Sequence, residues 1–252
     1  MIKAYLNYFL QCKSISKIDD PFISRLRHSI FDKLTMVDDS DIQDYYRELK
    51  LNRTKISVTD LGAGSKKTKS NVRAIKSIAQ NASISQKYGR LLVVLIQEFD
   101  CKTVMELGTS LGVGTSYLAS NRNTDVFTIE GCPNISSFTQ QQLKKYTNIS
   151  YFIGDFSAQL SSVLKKTNEP DLVYIDGNHT YKATIDYFNF FLKHGHSKTI
   201  LVFDDIHWSK GMEKAWAEII QSNGVSVSID LFRMGIVFID QAISKKHYII
   251  RF

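Results

Sequence analysis

At 252 residues, with 43% hydrophobic side chains, the chain is long and apolar enough for one large globular domain, or for one domain with an appendage. Its three cysteines, Cys12, Cys101 and Cys132, are scattered and odd in number, which argues against a disulfide framework and a zinc site and favours a reducing compartment. The formal net charge of +7 is uneven, because residues 47–90 carry eleven Lys and Arg against two acids. That segment either attracts an anionic partner or forms a solvated surface.

The first hundred residues predict a helical extension. The opening stretch, MIKAYLNYFLQCKSIS, is too short and too polar for a membrane span and makes a poor secretory signal, so we expect an amphipathic helix and a cytoplasmic protein. Helical spacing of apolar residues recurs in four segments: 2–12, 22–34, 40–50 and 71–99. We expect residues 1–100 to pack on a sheet or to cover its active edge as a lid.

From Thr103 onward, short apolar runs alternate with segments of helical length. The runs are TVMELG, DVFTIEG, ISYFIGDF, DLVYIDG and TILVFDDI. This rhythm is typical of a parallel sheet with crossover helices, and near-continuous apolar runs indicate strands covered on both faces. VSVSIDLF and GIVFID follow, separated by only two residues, and predict an antiparallel hairpin. The sequence therefore predicts an α/β domain over residues 101–252: a doubly wound, mostly parallel, Rossmann-like sheet of seven strands closed by that hairpin.

Two stretches resemble a ligand-binding glycine loop: VTDLGAGSKK (58–67) and VMELGTSLGVGTSYLA (104–119). Such a loop needs a buried strand before it, glycines within it and a helix directly after it. The second stretch has all three, with Gly108, Gly112 and Gly114 spaced through the turn. The first has a weak strand and a run of Lys and Ser, so we interpret it as a mimic that could contact ligand only as part of a mobile lid.

Three acids narrow the ligand of the second stretch. Glu106, just before the glycines, would repel a pyrophosphate but suits a ligand with an amino group. Glu130 follows the next strand, 22 residues beyond Gly108, where a carboxylate can accept from both ribose hydroxyls. Asp155 follows the third strand and can accept from an adenine amine, although an acid there also often caps a helix. An amine, a ribose and an adenine together describe S-adenosylmethionine (SAM).

With ELGTSLGVG, FTIEG and GDF in this order, the chain resembles the class I SAM-dependent methyltransferases over residues 100–240. The resemblance implies a seven-stranded sheet with SAM bound across the ends of the first strands. The implied cofactor-binding residues are those at the strand ends and in the loop: Glu106, Gly108, Thr109, Gly112, Gly114, Glu130, Gly131, Asp155, Phe156 and Asp176.

Three further carboxylates follow the fourth and fifth predicted strands. Asp176 comes in LVYIDGNHTY, and Asp204 and Asp205 come in LVFDDIHW. Carboxylates that converge at neighbouring strand ends repel one another unless they are protonated or bridged by a cation. Oxygen ligands suit Mg²⁺ or another hard divalent ion, so Asp176, Asp204 and Asp205 form a candidate metal site. Such an ion would lower the pKa of a substrate hydroxyl and aim the resulting oxygen at the methyl group.

This arrangement resembles the metal-dependent O-methyltransferases, both the catechol type and those that act on sugar or antibiotic hydroxyls. Their pattern has an Asp after strand four and an Asp-Asn or Asp-Asp pair after strand five. The catechol type has a basic lysine three residues after the first Asp; here that position is His179, a plausible base. The resemblance implies an O-methyltransferase in which His179 and Asp176 are catalytic.

Several alternatives stay open at this stage. His179 or a carboxylate could take the proton without a metal, Asn178 could simply complete a turn, and His207 could be a packing residue. The chain could bind SAM without catalysis, or methylate RNA or a phosphorylated substrate through the basic segment. Base-methylating enzymes are disfavoured, because DGNHTY is not an Asn/Asp-Pro-Pro-aromatic motif and no cysteine lies in a catalytic loop. The glycine spacing and Glu106 disfavour an NAD-dependent dehydrogenase. We expect a small-molecule hydroxyl substrate, with no nucleic acid or membrane partner; a homodimer stays open.

Overall fold

The computed structural model describes residues 2–59, 71–167, 169–240 and 242–252. The chain divides into two compact units. The first, here called the terminal unit, combines residues 1–32 with residues 169–252, and the second, the central unit, comprises residues 33–168. The first hundred residues are thus shared between both units. The predicted boundary at residue 100 does not coincide with this division and stays a prediction.

Ten α-helices lie in the described residues. In chain order they are α1 (Ile2–Gln11), α2 (Pro21–Ser29), α3 (Ser40–Leu51), α4 (Ile75–Ala82), α5 (Gln86–Glu98), α6 (Val113–Leu118), α7 (Pro133–Gln142), α8 (Phe156–Leu164), α9 (Tyr181–His194) and α10 (Lys210–Gln221). Several begin at a side-chain cap that satisfies free N–H groups of the first turn: Asp20 for α2, Thr180 for α9 and Ser209 for α10.

Ten strands accompany them in the same described residues. They are β1 (Lys55–Ser57), β2 (Val72–Ala74), β3 (Thr103–Leu107), β4 (Asp125–Glu130), β5 (Ile149–Ile153), β6 (Leu172–Ile175), β7 (Ile200–Phe203), β8 (Val227–Asp230), β9 (Gly235–Phe238) and β10 (Lys246–Ile249).

The central unit contains three parallel strands in the order β3-β4-β5. Each strand is followed by a helix, α6, α7 and α8 in turn, which is the strand-helix-strand rhythm expected of a parallel sheet. Val104, Met105 and Leu107 of β3 are fully buried, because both faces of the strand are covered. The same unit holds a short antiparallel pair, β1 with β2.

The terminal unit contains five strands in the order β10-β8-β9-β7-β6. β6 and β7 are parallel, β9 is antiparallel to both β7 and β8, and β10 is parallel to β8. All residues of β6 and β7 are buried. In register, Phe203 at the end of β7 lies opposite Gly235 at the start of β9, so the turn between β8 and β9 lies beside the segment that follows β7.

The predicted mostly parallel α/β fold with an antiparallel C-terminal hairpin is confirmed, but the strand count was too low. The mostly parallel fold has eight strands, five in one unit and three in the other, where seven were expected. The additional strand is β10, whose residues KHYI carry no alternating or continuous apolar pattern and gain their order by pairing with β8. The short pair β1–β2 was also not expected. Helices lie in all four predicted segments of the first hundred residues, but the segment 71–99 begins with β2 and is divided into two helices, α4 and α5.

Among the described residues, no helix combines the length and the apolar character that crossing a membrane requires.

Candidate functional site

The glycine loop (residues 108–114) follows β3 and ends in the first turn of α6. Three of its residues have positive φ: Gly108 at 110°, Ser110 at 47° and Gly112 at 77°. Gly112 is the residue that precedes the first turn of α6, and its left-handed backbone turns the chain directly from the loop into the helix. The loop therefore has the sharp strand-to-helix geometry predicted from the sequence.

Gly112 is required for space as well as for its backbone conformation. A Cβ placed on Gly112 would lie 2.6 Å from Cγ2 of Thr139 and 2.7 Å from Cδ1 of Leu143, both on the side of α7. The absence of a side chain at Gly112 therefore lets α7 pack against the loop, in addition to leaving space for a ligand. Gly114 is the second residue of α6, one position after the helix begins at Val113.

Glu130 ties the glycine loop to the turn after β4. Its Oε2 accepts a hydrogen bond from the backbone N of Ser110 over 2.8 Å, and its Oε1 accepts from the backbone N of Cys132 over 2.9 Å. The intervening Gly131 is partly exposed, as is Glu130 itself. The predicted ribose-binding acid thus lies against the predicted glycine loop, and its contact with a ribose stays a prediction.

Two further side chains support the glycine loop, and neither could have been identified from a sequence pattern. The hydroxyl of Thr139 on α7 donates to the carbonyl of Ser110 over 2.7 Å, and the hydroxyl of Tyr45 on α3 donates to the carbonyl of Leu111 over 2.7 Å. Both hydroxyls thus bind carbonyl groups of the loop, which precedes α6. α3 therefore belongs structurally with the loop, which agrees with a supporting role for this part of the helical extension.

Glu106 lies in the core rather than on an open surface. The residue is only 1% exposed. Its Oε2 accepts hydrogen bonds from the hydroxyls of Thr115 on α6 and Thr128 on β4, each over 2.6 Å. The neighbouring Thr109 is buried too and shares a 2.6 Å hydrogen bond with Thr128. These contacts make Glu106 a link between β3, α6 and β4. Its expected contact with the amine of a ligand stays a prediction.

Asp155 is the cap of α8. Its Oδ1 accepts from the backbone N of Ala158 over 3.1 Å, and the residue is exposed, while Phe156 begins the helix and is partly exposed. The capping alternative weighed for this acid is therefore present in the structure. Capping uses one carboxylate oxygen, so it is compatible with the expected contact to adenine, which stays a prediction.

The carboxylate cluster (Asp176, Asp204 and Asp205) follows the parallel strands β6 and β7 of the terminal unit. The backbone N of Asp204 donates to the carbonyl of Ile175 at the end of β6 over 3.0 Å, so the segments that carry the acids run side by side. The side chains of Asp176 and Asp205 are 20% and 26% exposed, whereas that of Asp204 is fully buried. The structure thus brings the three predicted acids together.

His179 lies next to Asp176, with its Nε2 at 3.4 Å from Oδ1 of the carboxylate. Burial and the nearby charge of Asp204 raise the pKa of Asp176 to about 7. Burial opposes a charge on His179, but the hydrogen bond to Asp176 and the surrounding carboxylates outweigh it, so the pKa of His179 is raised. The structure therefore places the two residues of the predicted catalytic pair side by side, and their catalytic role stays a prediction.

Arg233, for which no role was predicted from the sequence, pairs with two acids of the carboxylate cluster, Asp204 and Asp205. Its Nε lies 3.3 Å from Oδ1 of Asp204 and its Nη2 lies 3.2 Å from Oδ2, a two-pronged pairing. The Nε is also 3.6 Å from Oδ1 of Asp205. One sequence signal could have identified Arg233, namely its position in the turn of the predicted hairpin. Because β9 is antiparallel to β7, that turn lies beside the end of β7.

The bonds of Asp204 decide whether the three acids fit a divalent ion. Besides Arg233, its Oδ1 accepts from the backbone N of Asp205 over 2.9 Å, and its Oδ2 accepts from the hydroxyl of Tyr174 over 3.3 Å. Both oxygens are therefore occupied by donors, and no group of three or more His, Cys, Asp or Glu among the described residues has the arrangement of a metal site. The expected donor set of Asp176, Asp204 and Asp205 does not fit a metal ion.

Two residues with open roles have structural explanations. His207 bonds to Asp230 over 2.8 Å and stacks on the ring of Phe232, with ring centres 5.3 Å apart, which agrees with the packing interpretation. Asn178 has φ of 51° and its carbonyl accepts from the backbone N of Thr180, so it completes a turn. Of the mimic loop at 58–67, only Val58 and Thr59 are among the described residues, and its expected role in a lid lies outside them.

The glycine loop and the strand ends that follow it lie in a segment that is similar to known proteins. Residues 105–206 match a family model described as "Methyltransferase domain". The matched segment begins in β3, contains the glycine loop, Glu130 and Asp155, and ends just after Asp205. No curated protein matches the chain.

Solved structures share the fold at low sequence identity. The O-methyltransferase TomG from Streptomyces achromogenes, involved in tomaymycin synthesis and solved with SAM, is 17% identical, with a TM-score of 0.56 over 63% of this chain and 82% of its own. An O-methyltransferase from Bacillus cereus in complex with SAH is 18% identical, with a TM-score of 0.55 over 63% of this chain and 83% of its own. Cofactor-bound Rv0187 from MTB is 14% identical, with a TM-score of 0.63 over 83% of this chain and 94% of its own.

Residues 105–206 match the methyltransferase-domain model, and the chain shares the class I methyltransferase fold with these solved structures. The resemblance to class I SAM-dependent methyltransferases that the sequence indicated is confirmed.

Proposed function

We propose that this protein is a SAM-dependent O-methyltransferase that moves a methyl group to a hydroxyl of a small molecule. The observation that carries the proposal is the Glu130 carboxylate bound to the backbone of Ser110 in a strained glycine loop. A carboxylate at the end of the second parallel strand, held against a glycine loop at the end of the first, suits a ligand with a ribose. The match of residues 105–206 to a methyltransferase domain selects SAM among such ligands.

In this proposal the glycine loop binds the methionine part of SAM, Glu130 binds the ribose and Asp155 the adenine. The substrate hydroxyl oxygen attacks the sulfonium methyl carbon, the S–CH₃ bond breaks as the O–CH₃ bond forms, and S-adenosylhomocysteine (SAH) leaves. The hydroxyl proton passes to the pair formed by His179 and Asp176. Their raised pKa values suit a group that accepts a proton near neutral pH.

The divalent-metal assistance expected from the sequence does not enter this proposal. A metal ion there would have to replace the guanidinium of Arg233 and the other donors on Asp204. Proton removal is therefore assigned to the side chains of the chain itself, and no step is assigned to a metal.

The substrate is proposed to be a small molecule rather than a nucleic acid. DGNHTY after β6 lacks the Pro-Pro-aromatic motif of base-methylating enzymes, and the basic stretch within 47–90 leaves RNA or a phosphorylated compound as the alternative substrate. A nucleic-acid substrate would give binding that weakens steeply with salt. A cytoplasmic location and the absence of a membrane partner are part of the proposal, and a homodimer is compatible with it.

The experiment that tests the proposal separates binding from transfer. Calorimetric titration of the purified protein with SAH, beside NAD⁺ as control, measures the cofactor site. Transfer of labelled methyl from SAM is then measured on a panel of small hydroxyl compounds. We expect micromolar SAH binding, no NAD⁺ binding and label in at least one hydroxyl compound; no SAH binding would contradict the cofactor assignment.

The second candidate is a protein that binds SAM without catalysis, because the proposed SAM contacts do not include Asp204 or Asp205, the acids that follow β7. His179→Gln distinguishes the two. An enzyme loses turnover in this variant and keeps SAH affinity, whereas a binding protein that acts through SAM alone shows no turnover before or after the change. Lys193→Gln, a substitution near the end of α9 and away from the cluster, serves as control.

A further inference from the structure

We propose that Arg233 is the resident cation of the carboxylate cluster, filling the role that a divalent ion would otherwise have, so that methyl transfer here needs no metal. This inference rests on the proposed O-methyltransferase function. Arg233 is assigned as a positioning residue: it contacts Asp204 and Asp205 and acts on the reaction through them.

Charge is the first argument. Asp204 has a fully buried side chain, and a buried carboxylate requires an opposite charge and hydrogen bonds. Arg233 supplies both with the parallel N–H groups of its guanidinium, which match the two oxygens of a carboxylate. His179 approaches Asp176 with one ring nitrogen, Nε2, at 3.4 Å from Oδ1. Three acids are therefore met by one guanidinium and one imidazole, and a divalent ion within the cluster would be repelled by the arginine charge.

The backbone provides the second argument, because the turn that presents Arg233 is strained and fixed. Phe232 has φ of 69°, which is unusual for a bulky residue. The backbone N of Leu231 donates to the carbonyl of Met234 over 2.9 Å, and that of Phe232 donates to Oδ1 of Asp230 over 2.7 Å. Such strain persists only where the surroundings determine the conformation.

The surroundings do determine it. The ring of Phe232 stacks on His207, which follows β7, and packs edge-on against Tyr5 of α1 with ring centres 5.0 Å apart. The backbone N of Ile206 donates to the carbonyl of Arg233 over 3.2 Å. Backbone and side chain of Arg233 are thus both attached to the segment that carries Asp204 and Asp205. A residue so placed is built into the cluster, unlike a surface arginine that happens to meet an acid.

The test titrates Mn²⁺, a probe of divalent binding, into the SAH-loaded protein and detects it by electron paramagnetic resonance and calorimetry. We expect no saturable Mn²⁺ binding to the unaltered protein and saturable binding to Arg233→Ala, which an additional Asp204→Asn removes. Arg233→Lys keeps the charge and should bind no Mn²⁺. Arg251→Ala removes an arginine of the same unit that lies over the ring of Phe9, and should also bind none.

Activity gives the second reading. Turnover of the unaltered protein should be the same in EDTA and in Mg²⁺, whereas turnover of Arg233→Ala should fall and then recover at least about tenfold on addition of Mg²⁺. Saturable Mn²⁺ binding to the unaltered protein that Asp204→Asn abolishes would overturn the proposal. So would a folded Arg233→Ala variant that binds no Mn²⁺. If Arg233→Ala does not fold, the first of these two outcomes still decides.

The Mn²⁺ titration needs no methyl acceptor. A failure of the methyltransferase assignment appears as absent SAH binding or absent methyl transfer, whereas a failure of the arginine assignment appears as Mn²⁺ bound to the unaltered protein. The two outcomes are therefore distinguishable.

Discussion

The hydroxyl of Tyr117 on α6 donates to Oδ2 of Asp39 over 2.6 Å, which joins the helix that follows the glycine loop to the residue that precedes α3. Asp39 is only 4% exposed and also forms an ion pair with Arg90 of α5 over 2.8 Å. Three helices of the central unit thus converge on one carboxylate. Because α6 is the helix that the glycine loop feeds, this carboxylate also fixes the position of the loop.

Asp39 should make the stability of the central unit dependent on acid pH. Burial alone would raise its pKa, but hydrogen bonds from Arg90, Tyr117 and Gln86 outweigh burial and hold the pKa below the ordinary 3.8. A lowered pKa gives stability that is present above the pKa of the unfolded chain and is lost as pH falls through the lower folded value. We expect Asp39→Asn to lower the free energy of unfolding by about 3 kcal/mol at pH 7.

Urea unfolding of both proteins between pH 7 and pH 2 measures this effect. The difference between them should shrink only below about pH 4, where Asp39 of the unfolded chain takes up a proton. Asp41→Asn serves as control, because Asp41 forms an exposed pair with Lys145 and should change stability by less than about 1 kcal/mol. A difference that stays constant down to pH 2 would contradict the role given to the charge of Asp39.

Gly112→Ala should damage both the loop and its packing. The new methyl would require a positive φ and would meet Thr139 and Leu143 at less than 3 Å. We expect a loss of about 1–3 kcal/mol in the free energy of unfolding, together with weaker SAH binding. Gly211→Ala is the matched control, because a Cβ there meets its nearest neighbours at an ordinary 3.6 Å. Equal effects of the two substitutions in thermal melts and SAH titrations would show that Gly112 has no special requirement.

Glu130→Gln should weaken cofactor binding more than it weakens folding. The amide offers one acceptor oxygen, so the backbone N–H of either Ser110 or Cys132 loses its partner, and the charge that would bind two ribose hydroxyls is removed. We expect SAH affinity to fall about 10–100-fold, the equivalent of one or two charge-assisted hydrogen bonds. Calorimetry measures this against Glu48→Gln, a change on α3. Unchanged affinity in Glu130→Gln would remove Glu130 from the cofactor site.

Thr128→Val should reveal the cost of the buried Glu106 carboxylate. Valine has nearly the same shape as threonine but cannot donate the 2.6 Å hydrogen bond to Oε2 of Glu106. We expect the free energy of unfolding to fall by about 1–3 kcal/mol, because a buried charge loses a donor. Ser150→Ala, on the neighbouring strand β5 and exposed, should have little effect. If Thr128→Val is as stable as the unaltered protein in urea, Glu106 does not depend on this donor.

The sequence predicts the strands β3 to β9 well, because most of them are buried on both faces and therefore have nearly continuous apolar runs. It misses β10, where Lys246 and His247 break any such run and only pairing with β8 orders the segment. The acids of the carboxylate cluster were predictable because strand ends of a parallel pair meet at one edge.

The groups that bind the oxygens of these acids could not be predicted from the sequence. Whether a carboxylate such as Asp204 has oxygens left for a metal depends on what lies beside it in three dimensions. Arg233 and Asp204 are 29 positions apart in sequence, and they meet because β7 pairs with β9. Glu106 shows the same limit: its place before the glycines was evident, but not that two threonines enclose it.

The terminal unit combines residues 1–32, which are synthesised early, with residues 169–252, which are synthesised late. The hydroxyl of Tyr8 donates to the carbonyl of Ile250, 242 positions later, and Lys13 exchanges backbone hydrogen bonds with Ile249 and Arg251. The central unit is contiguous, so all its partners have left the ribosome once residue 168 has emerged, whereas α1 waits for β10. A nascent chain that is paused after residue 168 has emerged from the ribosome, but before β10 has been synthesised, should therefore protect the glycine loop from protease while residues 2–13 are still cleaved.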